Sequence, residues 1–309
     1  MVWLPVMLAR QDKVKPWKHR VLFVDESQDL NKAQQELILL CGMRIVLVGD
    51  ENQAIYAFRG ADANAMAQLE KVLSQDGRGL QVFPLTVSRR CPISVAILAR
   101  HIVPGFEALP DAPIGQVIRK NQPDMKIGHM VLCRTNAPLL GAALGLIKIR
   151  VPVRVLGTDI GKQLAKFVLT LAGREVATPE MLTRLEQFRA AQTAVIMADV
   201  TKIMSNERKL QAMNDKVECV IALAEGTQSV GEVIDRIESL FAEVKDTDPN
   251  SCVLFSSIHK AKGLEADTVH ILHPELLPHP MAKQDWERVQ ERNLHYVAVT
   301  RSKNTLVFR

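Results

Sequence analysis

One stretch decides the fold: Val21-Leu22-Phe23-Val24-Asp25-Glu26-Ser27-Gln28-Asp29, an apolar run that ends in acidic residues. A second run of the same kind follows at Ile45-Val46-Leu47-Val48-Gly49-Asp50. Runs that are apolar at every position predict strands buried on both faces, as in a parallel sheet. Between them, Asn31 to Cys41 has helical periodicity. This order predicts the strand, helix, strand rhythm of a doubly wound α/β domain.

The alternation of strands and helices continues along the chain. The pattern predicts further helices at residues 63–73, 138–147 and 286–299, and further strands at 80–85, 130–133, 153–156, 253–255, 269–272 and 305–308. Long amphipathic stretches between about residues 162 and 244 predict an all-helical segment. We therefore expect a first α/β unit at 1–87 and a second at 88–160 and 251–309, the second interrupted by a helical insertion at 161–250.

Composition places the chain among globular proteins. It has 309 residues, of which 47% are hydrophobic and 24% charged, and this length is sufficient for two domains. No apolar run approaches the ~18 residues of a membrane span, and the N-terminus is a poor signal peptide. The five cysteines stand singly, which argues against a disulfide framework or a zinc site. The formal charge of +5 suits a polyanionic partner.

The acids that follow the first strand have the form of a Walker B element. Acidic residues at the carboxyl ends of parallel strands lie where an open α/β sheet places its ligand chemistry. In that interpretation Asp25 holds Mg²⁺, while Glu26 orients and deprotonates an attacking water molecule. The alternative is that both acids simply begin the loop after a buried strand.

Two neighbouring segments make the interpretation specific. Asp25-Glu26-Ser27-Gln28-Asp29 and Val48-Gly49-Asp50-Glu51-Asn52-Gln53-Ala54-Ile55-Tyr56-Ala57-Phe58-Arg59-Gly60-Ala61 resemble motifs II and III of the UvrD/Rep helicases of superfamily 1. The resemblance implies two RecA-like P-loop NTPase motor domains. It also implies that Gln53 contacts the γ-phosphate of ATP and that Tyr56, Phe58 and Arg59 touch single-stranded DNA. Aromatic side chains suit this role because stacking on bases is independent of sequence.

Four later segments resemble further motifs of the same family in the same order. They are Leu85-Thr86-Val87-Ser88-Arg89-Arg90-Cys91-Pro92 (motif IV), Val131 to Asn136 (motif IVa), Ser256 to Glu265 (motif V) and Glu291 to Lys303 (motif VI). By resemblance, Arg90 and Arg301 reach the triphosphate, and Arg89 stands where the family has an adenine-stacking aromatic residue. Gly263 and Glu265 would bind the nucleotide, and Arg134, His259 and Lys260 would lie at the DNA.

A Walker A loop, G-x-x-x-x-G-K-[ST], is absent from the sequence. The similar Gly157-Thr158-Asp159-Ile160-Gly161-Lys162-Gln163 has one residue too few between its glycines and lacks the metal-binding hydroxyl. Without that loop the phosphates lose their cradle of N–H groups and their lysine. We therefore expect a fragment whose first motor domain is incomplete, with an exposed sheet edge and negligible ATPase activity by itself.

The resemblance implies an ATP-dependent DNA helicase or translocase that moves 3′ to 5′, with ATP and Mg²⁺ as ligands. Single-stranded DNA is the expected partner, together with the missing N-terminal region or another replication or repair protein. We expect no membrane association and a location in the cytoplasm of a bacterial or phage-infected cell. One alternative is a non-enzymatic module that binds DNA or a protein partner. Another is a metal-dependent nuclease that uses Asp25, Glu26, Asp29 and Asp50.

Overall fold

The computed structural model describes residues 2–56, 62, 64–75, 77, 79–119, 124–198, 203–241, 251–280 and 282–309. The N-terminal part contains α1 (Trp3–Arg10), β1 (His19–Val24), α2 (Lys32–Cys41), β2 (Gly42–Leu47) and α3 (Ala65–Gln75). Strands β1 and β2 pair in parallel, with Val24 opposite Leu47. Asn31 caps α2, because its side chain accepts the backbone N–H of Gln34 and the Gln34 side chain accepts that of Asn31. The predicted strand, helix and strand are confirmed.

The prediction that these strands are buried on both faces is wrong. Phe23 is 74% exposed and Met43 is 60% exposed. An apolar run indicates that a strand prefers to be covered, but it does not indicate which segment covers it. Among the described residues, β1 and β2 form a sheet of only two strands, which leaves much of their apolar surface in solvent.

The strand predicted at residues 80–85 is also absent. These residues have no regular secondary structure, and Phe83 is 78% and Leu85 91% exposed. The chain instead forms the two-residue β3 (Val87–Ser88), which pairs with β4 (Glu107–Ala108). A strand requires a hydrogen-bonded neighbour, and no described residue pairs with the 80–85 segment.

The C-terminal part is built on a six-stranded parallel sheet. Its strands are β5 (Gln116–Arg119), β6 (Met130–Cys133), β7 (Val153–Val155), β8 (Val253–Ser257), β9 (Ala266–Leu272) and β10 (Ser302–Phe308), in the order β5-β10-β9-β6-β8-β7. Its helices include α4 (Ile93–Arg100), α5 (Ala137–Lys148) and α10 (Asp285–Val299). Five of these six strands were predicted, and the order shows that segments before and after the helical insertion share one sheet. The sequence pattern missed β5 and α4.

The stretch predicted to be helical contains α6 (Thr158–Leu171), α7 (Thr178–Ala198), α8 (Ile203–Ala224) and α9 (Val230–Leu240). One core joins this insertion to the sheet, because Val131 and Phe255 of the sheet pack in the same cluster as Val168, Met181 and Val220 of the helices. The insertion is thus a layer on the sheet. No described helix is both long and apolar enough to cross a membrane.

The opposite face of the sheet has a second core, which includes Val95 of α4 and Val297 of α10. Ile55, which lies between β2 and α3 in the N-terminal part, is fully buried in this cluster. Its burial anchors the segment after β2 to the C-terminal sheet. The two parts therefore meet at the loops that carry the predicted site residues.

Candidate functional site

The carboxylates after β1 stand on a tight turn. Ser27 donates both its backbone N–H and its hydroxyl to the carbonyl of Val48, at 3.0 and 2.8 Å. Glu26 has a left-handed backbone with φ of 51°, and its N–H donates to Asp25 Oδ1 at 2.8 Å. Asp25 and Glu26 are exposed, whereas Ser27 is buried. The turn therefore presents both acids to solvent at the carboxyl end of the strand.

Gln28 links this turn to the loop after β2. Its side-chain amide donates to Glu26 Oε2 at 2.5 Å, and its carbonyl oxygen accepts the N–H of Asp50 at 3.1 Å. Gly49 lies against the same side chain: a Cβ at that position would stand 2.5 Å from Gln28 Oε1 and 2.7 Å from Ser27 Oγ. Only glycine fits there without a shift of its neighbours. The two acidic loops are therefore held in fixed register.

The second acidic loop contacts α10. Gln53 donates its side-chain amide to Asp50 Oδ2 at 2.9 Å, and the hydroxyl of Tyr296 donates to the same oxygen at 3.2 Å. Asn293 donates to the carbonyls of Glu51 and Ala54, both at 3.0 Å. Burial, with a smaller contribution from Asp50, raises the pKa of Tyr296. Tyr296 packs within the protein, and it also fixes the carboxylate that holds Gln53.

Lys262, which the sequence interpretation did not select, joins the two parts of the molecule. Its ammonium group pairs with Asp29, lies 3.1 Å from Glu26 Oε2 and donates to the carbonyl of Gln53 at 3.0 Å. Its side chain is only 7% exposed. Burial raises the pKa of Asp29 despite the opposing effect of Lys262. Lys262 stands within motif V, from which the sequence interpretation selected His259 and Lys260 but not Lys262.

Arg90 and Glu265, both predicted to bind nucleotide, contact each other. Arg90 Nε donates to Glu265 Oε2 at 2.5 Å, and Lys303 Nζ lies 2.7 Å from Glu265 Oε1. The hydrogen bond from Lys303, followed by that from Arg90, lowers the pKa of Glu265. Both members of the Arg90–Glu265 pair are about one-third exposed, at 32% and 38%. The pair is therefore accessible to an incoming ligand.

Arg301 is placed differently from Arg90. It is 1% exposed, and it donates to the carbonyls of Val297 and Leu264 at 2.9 and 3.4 Å and to the Thr300 hydroxyl at 3.0 Å. Burial, with a smaller contribution from the charge of Arg90, lowers its pKa to about 10. In this structure Arg301 secures the junction of α10 with β10 and does not reach an open cleft.

The predicted DNA residues are spread over several environments. The hydroxyl of Tyr56 donates to the carbonyl of His259 at 2.9 Å, which brings two of them together. Arg134 instead forms a bidentate ion pair with Glu291, at 2.7 to 3.1 Å. Lys260 lies beside Gly157, where a Cβ would approach its ammonium group to 2.9 Å. Phe58 and Arg59 lie outside the described residues.

Two further nucleotide candidates are open to solvent. Arg89 is exposed, and Gly263 has a φ of 84° with nothing within 4 Å of the position that a Cβ would occupy. A residue with a side chain would be strained at Gly263, and the exposed backbone there can approach a ligand closely.

Comparison with known proteins identifies the family. The sequence matches the family described as UvrD/REP helicase N-terminal domain over residues 9–74, and that described as UvrD-like helicase C-terminal domain over residues 172–309. The chain belongs to the UvrD/Rep-type superfamily 1 helicases. Its parallel sheets with flanking helices are consistent with the α/β RecA-like fold of this family, as predicted from the motifs.

Individual helicases from other organisms also match this chain. ATP-dependent DNA helicase Rep of Salmonella typhimurium is 40% identical over 97 residues, which are 29% of this chain and 14% of that protein. F-box DNA helicase protein 1 of Schizosaccharomyces pombe is 24% identical over 318 residues, which are 94% of this chain and 34% of that protein. The chain thus spans a minor part of these relatives. The solved structure of an arterivirus nonstructural protein 10 (helicase) in complex with DNA has 15% sequence identity to this chain and a TM-score of 0.40. The match covers 99% of this chain and 51% of the viral chain.

The carboxylates suit a magnesium ion. Mg²⁺ prefers oxygen ligands and usually takes one or two carboxylates together with phosphate oxygens and water. Asp25 offers an exposed carboxylate that forms no ion pair with another described residue, and Glu26 is its neighbour on the turn. Within the described residues, no three His, Cys, Asp or Glu side chains are grouped as metal ligands.

Proposed function

We propose that this chain is part of an ATP-dependent DNA helicase or translocase that moves 3′ to 5′ along single-stranded DNA. The observation that carries the proposal is the contact of Lys262 with Glu26 and Asp29, because it joins the loop after β8 to the acids after β1. An ATP-driven motor of two α/β units needs its nucleotide site between them. The direction of movement rests on the Gln28-Asp29 ending of motif II, by resemblance to the branch of the family that moves 3′ to 5′.

The individual roles follow from position and chemistry. Asp25 would hold Mg²⁺, and Glu26 would accept a proton from the attacking water. Gln53 and Arg90 would contact the γ-phosphate, since a guanidinium can grip two phosphate oxygens at once. Arg89, Gly263 and Glu265 would bind the adenosine part. Arg301, which is fully buried, would assist by its positive charge or after a rearrangement of its hydrogen bonds.

The DNA would run over the surface next to Tyr56 and His259, with Phe58, Arg59 and Lys260 as further contacts. Arg134 would join them only if DNA displaced its ion pair with Glu291. We propose the three parts at 1–87, 88–160 with 251–309, and 161–250 as first motor domain, second motor domain and helical insertion. We also propose a cytoplasmic location in a bacterial or phage-infected cell.

The proposal includes a further segment that carries the phosphate-binding loop, supplied from upstream or by another replication or repair protein. Exposed apolar side chains on β1 and along residues 80–85 support it, because no described residue covers either region. A further parallel strand would pair with the free edge of the sheet and bring its carboxyl end beside Asp25, and its crossover helix would cover the exposed face.

DNA-stimulated ATPase activity tests the proposal. It is measured for the present chain and for a chain with its upstream coding sequence, each with and without oligothymidylate. We expect activity in the longer form and its loss in Glu26→Gln, which keeps the shape of the side chain but cannot accept the proton. Lys32→Gln, on the exposed start of α2, is the control that should retain activity. Equal inactivity of both chains would refute the proposal.

The absence of a Walker A loop from the sequence favours a second candidate, a non-enzymatic module that binds single-stranded DNA or a protein partner. This module would show steep salt dependence of DNA binding, because Lys and Arg side chains release counterions from phosphates. Its affinity for DNA would not change with nucleotide. A titration with and without a non-hydrolysable ATP analogue therefore separates the two functions.

A further inference from the structure

A basic segment, residues 10–20, precedes β1 and carries most of the net charge of the chain. Its sequence is Arg10-Gln11-Asp12-Lys13-Val14-Lys15-Pro16-Trp17-Lys18-His19-Arg20, with five Lys or Arg residues and one acid. With its histidine neutral, the formal charge of this basic segment is +4, whereas that of the whole chain is +5. Positive charge is therefore concentrated on a stretch that lies outside motifs II to VI.

The side chains of the basic segment face solvent. Every residue of it except Pro16 is exposed, and Trp17 is 80% exposed. Arg10 pairs with Glu36 of α2. The remaining basic side chains form no ion pair with a described residue; they are Lys13, Lys15, Lys18 and Arg20. Unpaired like charges repel one another, so their concentration is unfavourable until an anion neutralises them.

Both ends of the basic segment are held by the fold. At one end, α1 buries Val6 at 3% exposure, and the N–H of Lys13 donates to the carbonyl of Leu8 at 3.0 Å. At the other end, His19 begins β1 and pairs with β2. Residues 15–18 between them have no regular secondary structure, and Pro16 lacks the N–H with which a helix or strand would continue. A short loop tethered at both ends costs less to order when a ligand binds.

The basic segment lies at the opposite end of β1 from the predicted ATP and DNA residues. β1 has six residues and a strand rises about 3.3 Å per residue, so roughly 20 Å separate its two ends. Tyr56 belongs to the carboxyl end, because its ring centre is 5.4 Å from Lys262 Nζ, which is 3.1 Å from Glu26 Oε2. The basic segment is therefore separate from the DNA contacts predicted at Tyr56 and its neighbour His259.

Cations beside an exposed aromatic ring fit a single nucleic acid strand. Lysine side chains bind phosphates, and Trp17, between Lys15 and Lys18, offers a plane on which an unpaired base can stack. An acidic protein would meet the charges but would not need the indole ring. We propose that residues 10–20 form a second site for single-stranded DNA, in which Lys13, Lys15 and Lys18 bind phosphates and Trp17 stacks on a base. This inference rests on the proposed function for the identity of the strand.

The salt dependence of DNA binding tests the phosphate contacts. A fluorescent oligothymidylate is titrated without nucleotide, between about 50 and 200 mM salt, into the present chain and into the chain with its upstream coding sequence. Each phosphate contact with a single strand contributes about 0.7 to the slope of log K against log salt concentration. The combined variant Lys13→Gln, Lys15→Gln, Lys18→Gln should therefore bind DNA with a slope that is smaller in magnitude by about 2.

The matched control removes the same charge elsewhere. It combines Lys126→Gln, Lys166→Gln and Lys209→Gln, at three exposed lysines of the C-terminal part, and it should keep the wild-type slope. Trp17→Ala tests the stacking contact, and it should weaken DNA binding by about 5- to 150-fold. Trp17→Phe keeps an aromatic plane and should retain most of the affinity.

The results separate this inference from the proposed function. A reduced slope in the triple lysine variant, with weaker binding by Trp17→Ala, supports the inference when both effects appear in the longer chain. An unchanged slope overturns it, as does polyglutamate that displaces DNA as readily as unlabelled oligothymidylate, since the partner would then be an acidic protein. Either result leaves DNA-stimulated ATPase activity, and with it the proposed function, intact. A wild type that binds no DNA refutes both, and the first titration already shows this.

Discussion

Burial of His270 makes the stability of the folded protein depend on pH. His270 lies within β9 and is 1% exposed; its Nε2 is 2.9 Å from Nδ1 of His129, and its own Nδ1 has no hydrogen-bond partner among the described residues. Burial, followed by the nearby charge of Arg309, lowers its pKa from 6.5 to about 3. The folded state therefore keeps this imidazole neutral, while the unfolded chain takes up a proton below about pH 6.5.

The sign and size of the effect follow from linkage. Because the folded pKa is depressed, the contribution of His270 is fully present above the unfolded pKa and is lost as the pH falls from 6.5 towards about 3. Each pH unit within this window costs about 1.4 kcal/mol, so a change from about pH 7.5 to about pH 5 removes roughly 2 kcal/mol of the free energy of unfolding. His129 acts in the same direction, since burial also lowers its pKa.

Urea denaturation at the two pH values measures this contribution. His270→Leu should lose roughly 2 kcal/mol less than the wild type between them, because the leucine takes up no proton. At the higher pH the variant should remain folded, since leucine is of similar size to the histidine that it replaces at this buried position. The control is His101→Gln, at an exposed position, which should keep the wild-type dependence. Identical pH dependence in His270→Leu and the wild type would refute the reasoning.

Three substitutions test other parts of the structure. Arg134→Met leaves Glu291, at 8% exposure, without its ion-pair partner, and we expect the free energy of unfolding in urea to fall by about 3–5 kcal/mol, with Glu291→Gln in the same background recovering part of it. Gly49→Ala should cost about 1–3 kcal/mol and reduce ATPase activity of the active form, because the new methyl group displaces Gln28 from Glu26; unchanged kinetics would contradict this. Asp215→Ala removes the carboxylate that accepts the backbone N–H groups of Asn136 and Ala137, both at 3.1 Å, at the start of α5. The free energy of unfolding should fall by about 1–2 kcal/mol in thermal denaturation. A change below about 0.3 kcal/mol would show that this cap is dispensable.

Local pattern was sufficient for most of the elements. The acid-ended run at residues 21–29 was correctly placed on a strand and turn, and the long amphipathic stretch after residue 162 was correctly predicted as helices. Both signals lie within one element, so neighbouring residues carry the information. The short β5 was missed because its four residues, Gln116–Arg119, have no run long enough to be distinguished from a loop.

Errors arose where an element depends on another segment. Residues 80–85 have the composition of a strand, but composition does not supply the strand that must pair with them. The exposure of Phe23 has the same origin. For the site, the motifs selected the acids and Arg90, but not the partner of Asp29, which lies more than 200 residues away in the sequence at Lys262. The burial of Arg301 could not be predicted from the sequence either. The motif specifies an arginine at the end of the helix, but it does not indicate whether that arginine is exposed or buried.

The contacts among the site residues bear on how a nucleotide would bind. Arg90 is paired with Glu265, and Lys262 with Glu26 and Asp29, so the charges proposed to meet ATP and Mg²⁺ already neutralise one another. Under the proposed function, a triphosphate must therefore exchange these ion pairs for its own, and only the difference remains as binding free energy. Exchange is least costly at Arg90, which is about one-third exposed, and most costly at the buried Lys262. Nucleotide should thus engage Arg90 first, and separation of the acidic turn from the buried Lys262 should follow as a later step.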